Sequence, residues 1–291
     1  MRVALVAQRP NQTNLALAAR SWNGRRIEVM TTRQALLTLG RGDVALARLD
    51  VREDLEGVED GLWSLEHLSE AGVQVLNRPL ALLRAHDKLL TARTLRRAGL
   101  PHPRTTLIEH RGELPDVDFP AVVKPRFGSW GREVTLCRNR RELERTVERL
   151  VFRPWFRASG AIAQELIAPL GHDLRLIVAG GTLVGTGKRT AAPGEWRTNV
   201  ALGATVAGVS PSPVAVALAL AAAEASGLDL VGVDLLPTGP GGFCILELNG
   251  AVDFRPPYAF AGRDIYADAI AALAGADEFT AEPASVAGAS A

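Results

Sequence analysis

Two segments near the C-terminal end constrain this chain most. LVGVDLLP (230–237) and FCILELNG (243–250) are strongly apolar and rich in strand-forming residues, and the turn TGPGG separates them. Such runs read as neighbouring strands of a well-buried sheet. Each is interrupted by one acid, Asp234 or Glu247. A carboxylate inside an apolar sheet needs a partner, because burying it unpaired is costly. Glu247 and Asn249 are two residues apart, so on a strand both point to one face. If the two strands pair, Asp234 joins them. Three oxygen-bearing side chains on one face suit a hard cation such as Mg²⁺ (or Mn²⁺), which shares its shell with phosphates and needs only one or two carboxylates. The plainer alternative is the solvated polar face of an antiparallel sheet.

A second signal lies upstream. FPAVVKP (119–125) is an apolar strand carrying Lys124 near its end, and Gly128, Ser129, Trp130, Gly131 and Arg132 follow at once. A lysine in an apolar run must reach water or a fixed anion. Glycines let a loop turn sharply and bring its backbone N–H groups close to a phosphate. The fragment therefore reads either as a phosphate loop or as an ordinary hairpin turn. It matches neither the Walker A pattern nor GxGxxG. Further along, Lys188, Arg189, Arg197 and Asn199 lie on a strand and in the polar loop after it. Cations and amides there could hold a triphosphate, or simply belong to a polar loop. Glu165, Leu166 and Asp173 flank a turn that could seat a base and a ribose, or be surface positions.

The rest of the chain sets the frame. RVALVA, RIEVM (26–30), DVALARLD (43–50) and VQVLN (73–77) alternate with helical stretches at 15–21, 32–39 and 61–71. That alternation predicts a small parallel α/β domain. A helix over 87–98, strands TTLIEH, FPAVVKP and VTLCR, and an amphipathic helix RRELERTVERL form a second stretch. The third begins at AIAQELI (161–167) and continues as DLRLIVAGGTLVGTGKRT, a hairpin about Gly180-Gly181. A buried helix at 214–225, the two acid-bearing strands and a helix over 265–274 complete it. Lobe boundaries fall at 1–83, 84–160 and 161–276, with 277–291 an expected disordered tail rich in Ala, Ser, Gly and Pro.

Composition excludes several classes. A net charge of +1 argues against a nucleic-acid-binding surface. The longest apolar stretch, about 12 residues by the spanning criterion, is too short to cross a bilayer. The N-terminal apolar run is too short for a signal peptide. Cys137 and Cys244 are far apart, each in an apolar run, as expected of buried thiols in a reducing cytoplasm. No Ser-His-Asp or Cys-His set stands out.

The order of these signals resembles the ATP-grasp superfamily, within it the RimK-like ligases, and most closely the LysX-type branch. The matching stretches are NRPLALLRAHDK (77–88), AGLPHPRT (98–105), FPAVVKPRFGSWGREV (119–134), QELI with GHDLRLIVAGG, GTGKRT with EWRTNVALGA (185–204), AAEASGLDLVGVDLL (222–236), LELNGAVDF (246–254) and GRDIYADAI (262–270). The resemblance implies an α/β protein of α+β lobes: an ATP-grasp fold behind an N-terminal Rossmann-like domain. It implies ATP gripped between the second and third lobes. Lys88 and Lys124 would contact phosphates or adenine, and Gly128 to Val134 would form a lid. Glu165 and Leu166 would hold adenine, and Asp173 ribose. Arg197 and Asn199, with Lys188 and Arg189 nearby, would meet the reacting phosphates. Asp234, Glu247 and Asn249 would hold Mg²⁺.

The implied reaction turns a carboxylate into an acyl-phosphate and joins it to an amine. In a LysX-like enzyme the amine is glutamate or α-aminoadipate, and the acceptor is a small acidic carrier protein ending in glutamate. A RimK-like enzyme would instead add glutamate to a small molecule or protein tail, and a non-catalytic ATP-binding regulator could use the same fold. Arg9, Arg48, Arg52, Arg78 and Arg189 could receive an acidic substrate, or be surface arginines. A homo-oligomer, dimer or tetramer, is expected from the resemblance. Two departures fall where the family places the acceptor. Leu202 stands in Ala201-Leu202-Gly203-Ala204 where ARGG is usual, and Asn249-Gly250-Ala251-Val252-Asp253-Phe254 replaces an NHTMEF-like ending.

Overall fold

A computed structural model describes residues 1–110, 113–260 and 262–279. Its first sheet follows from the short apolar runs. Strands β1 (Val3–Val6), β3 (Arg25–Met30), β4 (Val44–Ala47) and β5 (Gln74–Leu76) pair in parallel, and β2 (Ser21–Trp22) adds to β3 in the order β2-β3-β1-β4-β5. Helices α1 (Gln12–Ala18), α2 (Thr32–Thr38) and α3 (Leu62–Glu70) make the crossovers. The helix expected over 15–21 ends earlier. Asn23 and Gly24 both take positive φ, 46° and 79°, which is the two-residue turn that folds β2 onto β3.

Helix α4 (Pro79–His86) leaves the first sheet and α5 (Lys88–Arg97) follows without a loop. Asp87 makes this sharp junction possible: its carboxylate accepts from the N–H groups of Leu89 and Leu90 at 3.0 and 3.3 Å and so caps α5. The second sheet has the order β6-β9-β7-β8, from β6 (Thr105–Ile108), β7 (Ala121–Pro125), β8 (Thr135–Cys137) and β9 (Ala161–Glu165). Helices α6 (Arg140–Leu150) and α7 (Pro154–Ser159) join β8 to β9. Strand β9 was expected to open the third lobe. It instead lies between β6 and β7, so residues 161–165 belong to the second sheet. Chain order could not show this, because β9 returns across two helices to a gap left in the sheet.

The third sheet is antiparallel, in the order β12-β11-β10-β13-β14. Its strands are β10 (His172–Ala179), β11 (Thr182–Thr190), β12 (Thr205–Gly208), β13 (Leu230–Gly239) and β14 (Gly242–Asn249). One face is apolar and lies under α8 (Pro213–Ser226), with Leu174, Leu176, Val231, Val233 and Ala219 in the shared core. The other face changes character along its length. Ile177 and Ala179 pack with the first sheet and with α9 (Ile265–Phe279), whereas Asp173, Arg175, Arg189, Asp234, Glu247 and Asn249 occupy the opposite end. The last helix runs past the expected end at 274, so 277–279 are helical; the rest of the expected tail lies outside the described residues. Among the described residues no helix is long and apolar enough to cross a membrane.

Candidate active site

The polar end of the third sheet faces the second sheet across a cleft enclosing about 960 Å³, counted out to its open mouth. That is the size of a small-molecule or cofactor site. Lys88, Lys124, Gly128, Ser129, Trp130, Gly131, Arg132, Glu165, Leu166, Asp173, Arg189, Arg197, Asn199, Asp234 and Glu247 all line it. Residues up to 159 positions apart in sequence thus meet in one place, and each is delivered by a different local device.

Lys124 is held in the middle of the second sheet, where β7 is buried along its whole length. Burial depresses its ammonium from the usual 10.5 to about 8; Glu247 opposes that fall, and the neighbouring charge of Lys88 adds to it. Lys88 is the first residue of α5. Its Nζ donates to the Gly128 carbonyl at 2.6 Å and lies 3.6 Å from Glu247 Oε2. Asp87 fixes that lysine: besides capping α5 it takes a bidentate fork from Arg126, with Nε–O distances of 2.8 and 2.9 Å. The sequence reading missed Arg126 as a brace for the glycine loop.

The loop itself is strongly shaped. Trp130, Gly131 and Glu133 take φ of 59°, 70° and 56°. A Cβ on Gly131 would sit 2.8 Å from Asn199 Oδ1 and 3.1 Å from Leu202 Cδ1, so only glycine lets the loop lie against both. Arg197 fastens it: Nη1 donates to the Gly131 carbonyl at 3.1 Å while Nε and Nη2 fork onto Glu195 at 3.0 and 2.7 Å. The Arg197 fork holds the Glu195 carboxylate down at about 2. At the far wall Glu165 ends β9, its Oε2 accepting from Arg104 N–H at 3.3 Å. The Leu166 N–H donates to Pro120 O at 3.1 Å, which pins the turn that continues into Ile167.

Behind the cleft is a buried ionic quartet. Arg175 forks onto Asp234 at 2.7 and 2.8 Å, and Arg189 reaches Asp234 at 2.8 Å while also gripping Asp173. Thr198 Oγ1 donates to Asp173 as well, at 2.5 Å. Two acids and two guanidiniums balance, which is how such charges tolerate burial. Burial alone would raise the Asp234 pKa, but the two guanidiniums hold it well below the ordinary carboxylate range. For Asp173 burial wins and the shift is upward.

Three expectations change here. Asp173 is fully buried in the quartet, so the carboxylate expected at a ribose supports Arg189 and Thr198 instead. Lys188 is not in the cleft. Strand alternation puts it on the opposite face from Arg189, beside Leu174 of β10 and Ala207 of β12. Asp234 has both oxygens taken by arginines, and the described residues contain no cluster of three His, Cys, Asp or Glu side chains placed for a metal. Arg175 was overlooked; it is the residue that turns Asp234 from an open ligand into an ion-pair partner. Glu247 and Asn249 still suit a cation. They share the face with Asp234, and the Asn249 Nδ2 is buried without a hydrogen-bond partner. A half-turn of that amide would present its oxygen at the same point.

A second cleft of about 1140 Å³ joins the first through Ser129, Trp130, Arg189, Asn199 and Glu247. Asp50, Asp253, Arg255 and Tyr258 line it but not the first cleft. The arginines proposed to receive an acidic substrate are mostly committed elsewhere. Arg9 pairs with Glu53 at 2.5 Å, Arg52 with Asp54 at 2.5 Å, and Arg48 is buried against Asn14 and Val252. Arg78 lines a separate groove with Gly180 and Gly181.

Residues 85–273 match the model of the RimK-like ATP-grasp domain. The chain belongs to the RimK-like ATP-grasp family. Its chemistry is that of an ATP-grasp carboxylate–amine ligase, which forms C–N bonds. This RimK-like chain is 30% identical over 270 residues to the glutamate–LysW ligase ArgX of Sulfurisphaera tokodaii, covering 88% of this chain and 92% of that one. It is 31% identical over 203 residues to beta-citrylglutamate synthase B of Homo sapiens, covering 65% of this chain and 50% of that one. In fold it is similar to D-alanine–D-alanine ligase from Bacillus anthracis complexed with ATP, with a TM-score of 0.69 and 16% identity over 96% and 97% of the two chains. A RimK domain ATP-grasp protein from Sphaerobacter thermophilus superposes at a TM-score of 0.66, with 24% identity over 95% and 98%.

Proposed function

We propose that the first cleft binds ATP with Mg²⁺, and that the second cleft joins a carboxylate, activated as its acyl-phosphate, to the amine of an acidic amino acid. The carboxylate we assign is the terminal glutamate of a small acidic carrier protein, and the amine is glutamate or α-aminoadipate. One observation carries the reading: the two clefts meet at Glu247, Asn199 and Arg189, with Lys88 and Lys124 converging on the same point. A phosphoryl group passing from one cleft to the other crosses that junction. Lys88 and Lys124 would hold the phosphates, and the Gly128 to Val134 loop would cover them, fastened by Arg197. Glu165 and Leu166 begin the turn that would seat the adenine. Glu247 and Asn249 would hold Mg²⁺, which draws charge from the phosphates; Asp234 could join only by giving up a guanidinium. Arg189 and Arg197 offset negative charge building up at the junction. No side chain need act as covalent nucleophile, because position and charge supply the rate.

Relationship to a glutamate–LysW ligase along nearly the whole chain supports the carrier-protein reading over a free small-molecule acceptor. The test is MgATP-dependent ADP release with an acidic peptide ending in glutamate, offered glutamate and α-aminoadipate separately. Release with both partners, and its loss in Glu247→Ala, is the expected result. Turnover with citrate or a free amino acid in place of the peptide would redirect the assignment. Full turnover in Glu247→Ala would remove the cation from this site.

A further inference from the structure

His86 is buried, ionisable and unused by the chemistry above. It is the last residue of α4 and is 4% exposed. Its Nε2 lies 2.9 Å from the Leu49 carbonyl. A carbonyl only accepts, so Nε2 carries the hydrogen and Nδ1 is bare in the neutral ring. That bare nitrogen faces Asp50 Oδ1 at 3.9 Å. Asp50 in turn lines the second cleft, as does Asp253. Asp50 Oδ1 also accepts the Val51 N–H at 2.6 Å, which holds the carboxylate beside a ring nitrogen that carries no hydrogen.

Resting on the ligase reading, we propose that Asp50 and His86 form the proton-accepting pair for the incoming amine. An amino acid arrives as an ammonium ion and cannot attack until it loses a proton. Asp50 receives the ammonium and takes one proton from it. His86 Nδ1 takes that proton onward and becomes an imidazolium paired with Asp50. The freed amine then forms the C–N bond as the C–O bond to phosphate breaks. Its second proton leaves with the departing phosphate, so one proton is stored on the pair and one exits with product. Asp50 is the catalytic residue here, because it touches the substrate; His86 acts through it. Burial lowers the His86 pKa, with Lys88 and Arg48 pushing the same way, so the ring is unprotonated before the amine arrives; Asp50 and the Leu49 carbonyl pull against them and favour the imidazolium once the proton is taken. Around Asp50 stand Arg48 and Glu59, whose Oε2 accepts the Asp50 N–H at 3.1 Å. Arg48 is itself buried with Nη1 unpartnered, and it keeps a positive charge beside Asp50 and Asp253.

Two measurements test this. The first needs no substrate: ring-nitrogen NMR of the intact chain, with Asp50→Asn as comparison. The expected result is the Nε2–H tautomer, with the His86 midpoint falling by about 0.5 pH unit or more once the carboxylate is gone. An Nδ1–H tautomer, or a midpoint indifferent to Asp50→Asn, overturns the pair whatever the enzyme's substrates are. The second compares two nucleophiles with MgATP and the acidic peptide ending in glutamate: glutamate, which must be deprotonated, and hydroxylamine, which is largely neutral already. In Asp50→Asn and in His86→Gln, which can still donate to Leu49 O, the ratio of glutamate to hydroxylamine turnover should fall about 10- to 100-fold. Equal slowing with both nucleophiles would make the pair a structural prop and overturn the proposal. No hydroxamate from the unaltered enzyme would count against the ligase reading instead, leaving the NMR result to decide on the pair.

Discussion

At the scale of single residues, Lys124 makes the most direct prediction. Its folded pKa of about 8 lies below the ordinary 10.5, so its charge is whole well below pH 8 and half lost near it. Nucleotide affinity measured by calorimetry should therefore weaken as pH rises through about 8, and Lys124→Arg should abolish that dependence, since a guanidinium stays charged. Gly131 gives a second test. With φ of 70° and Asn199 packed against it, Gly131→Ala meets both backbone strain and a clash. The expected outcome is a turnover loss of about tenfold or more with little change in Tm, because the strain of about 1–2 kcal/mol falls on a surface loop and not on the core.

At the scale of elements, what matters is how a helix or strand end presents a functional group. Asp87 caps α5, anchors Arg126 and thereby places Lys88. Asn139 caps α6 in the same chemical way, accepting from Glu142 N–H at 3.0 Å, but α6 presents nothing to the cleft. Asn139→Ala and Asp87→Ala should each cost about 1 kcal/mol or more of stability, larger for Asp87 because Arg126 is left unpaired. Only Asp87→Ala should also raise the KM for ATP, since Lys88 then loses its brace. Equal KM values for both variants would show that the cap does not position the lysine.

At the scale of the molecule, the ionic quartet joins three strands of one sheet behind both clefts. Arg189→Met should destabilise by about 3–5 kcal/mol, because it leaves Asp173 and part of Asp234 buried without a partner. The matching denaturation experiment is a urea titration, with the loss partly recovered when Asp173 is made Asn in the same chain. The first sheet is coupled to this region through Arg48, which leaves the end of β4 to bond Val252 O at 2.5 Å beside Asp253. The wall of the second cleft is thus assembled from both ends of the chain.

The sequence by itself determined most of the elements and the inventory of chemical groups, while α4, α7, β2 and β12 carry no pattern strong enough to be read from it. Strands such as AVVKP and LVGVDLLP could be read because apolar periodicity acts over a few residues, and helix α6 could be read to its ends because caps are local. The glycine loop and the Glu247–Asn249 pair were legible for the same reason: a period of two fixes which side chains share a face. Family resemblance then placed them in one site. Only the tertiary structure decided which groups were already spoken for. Asp173 and Asp234 look like free carboxylates in sequence, but Arg189 and Arg175 reach them across neighbouring strands in a register that no local pattern encodes. Lys188 and Arg189 look interchangeable, yet one faces α8's side of the sheet and the other the quartet. Strand β9 crosses into the second sheet for a like reason, since pairing partners are chosen by the whole fold. Charge neutralisation and strand pairing are long-range events, and they are settled where distant segments meet.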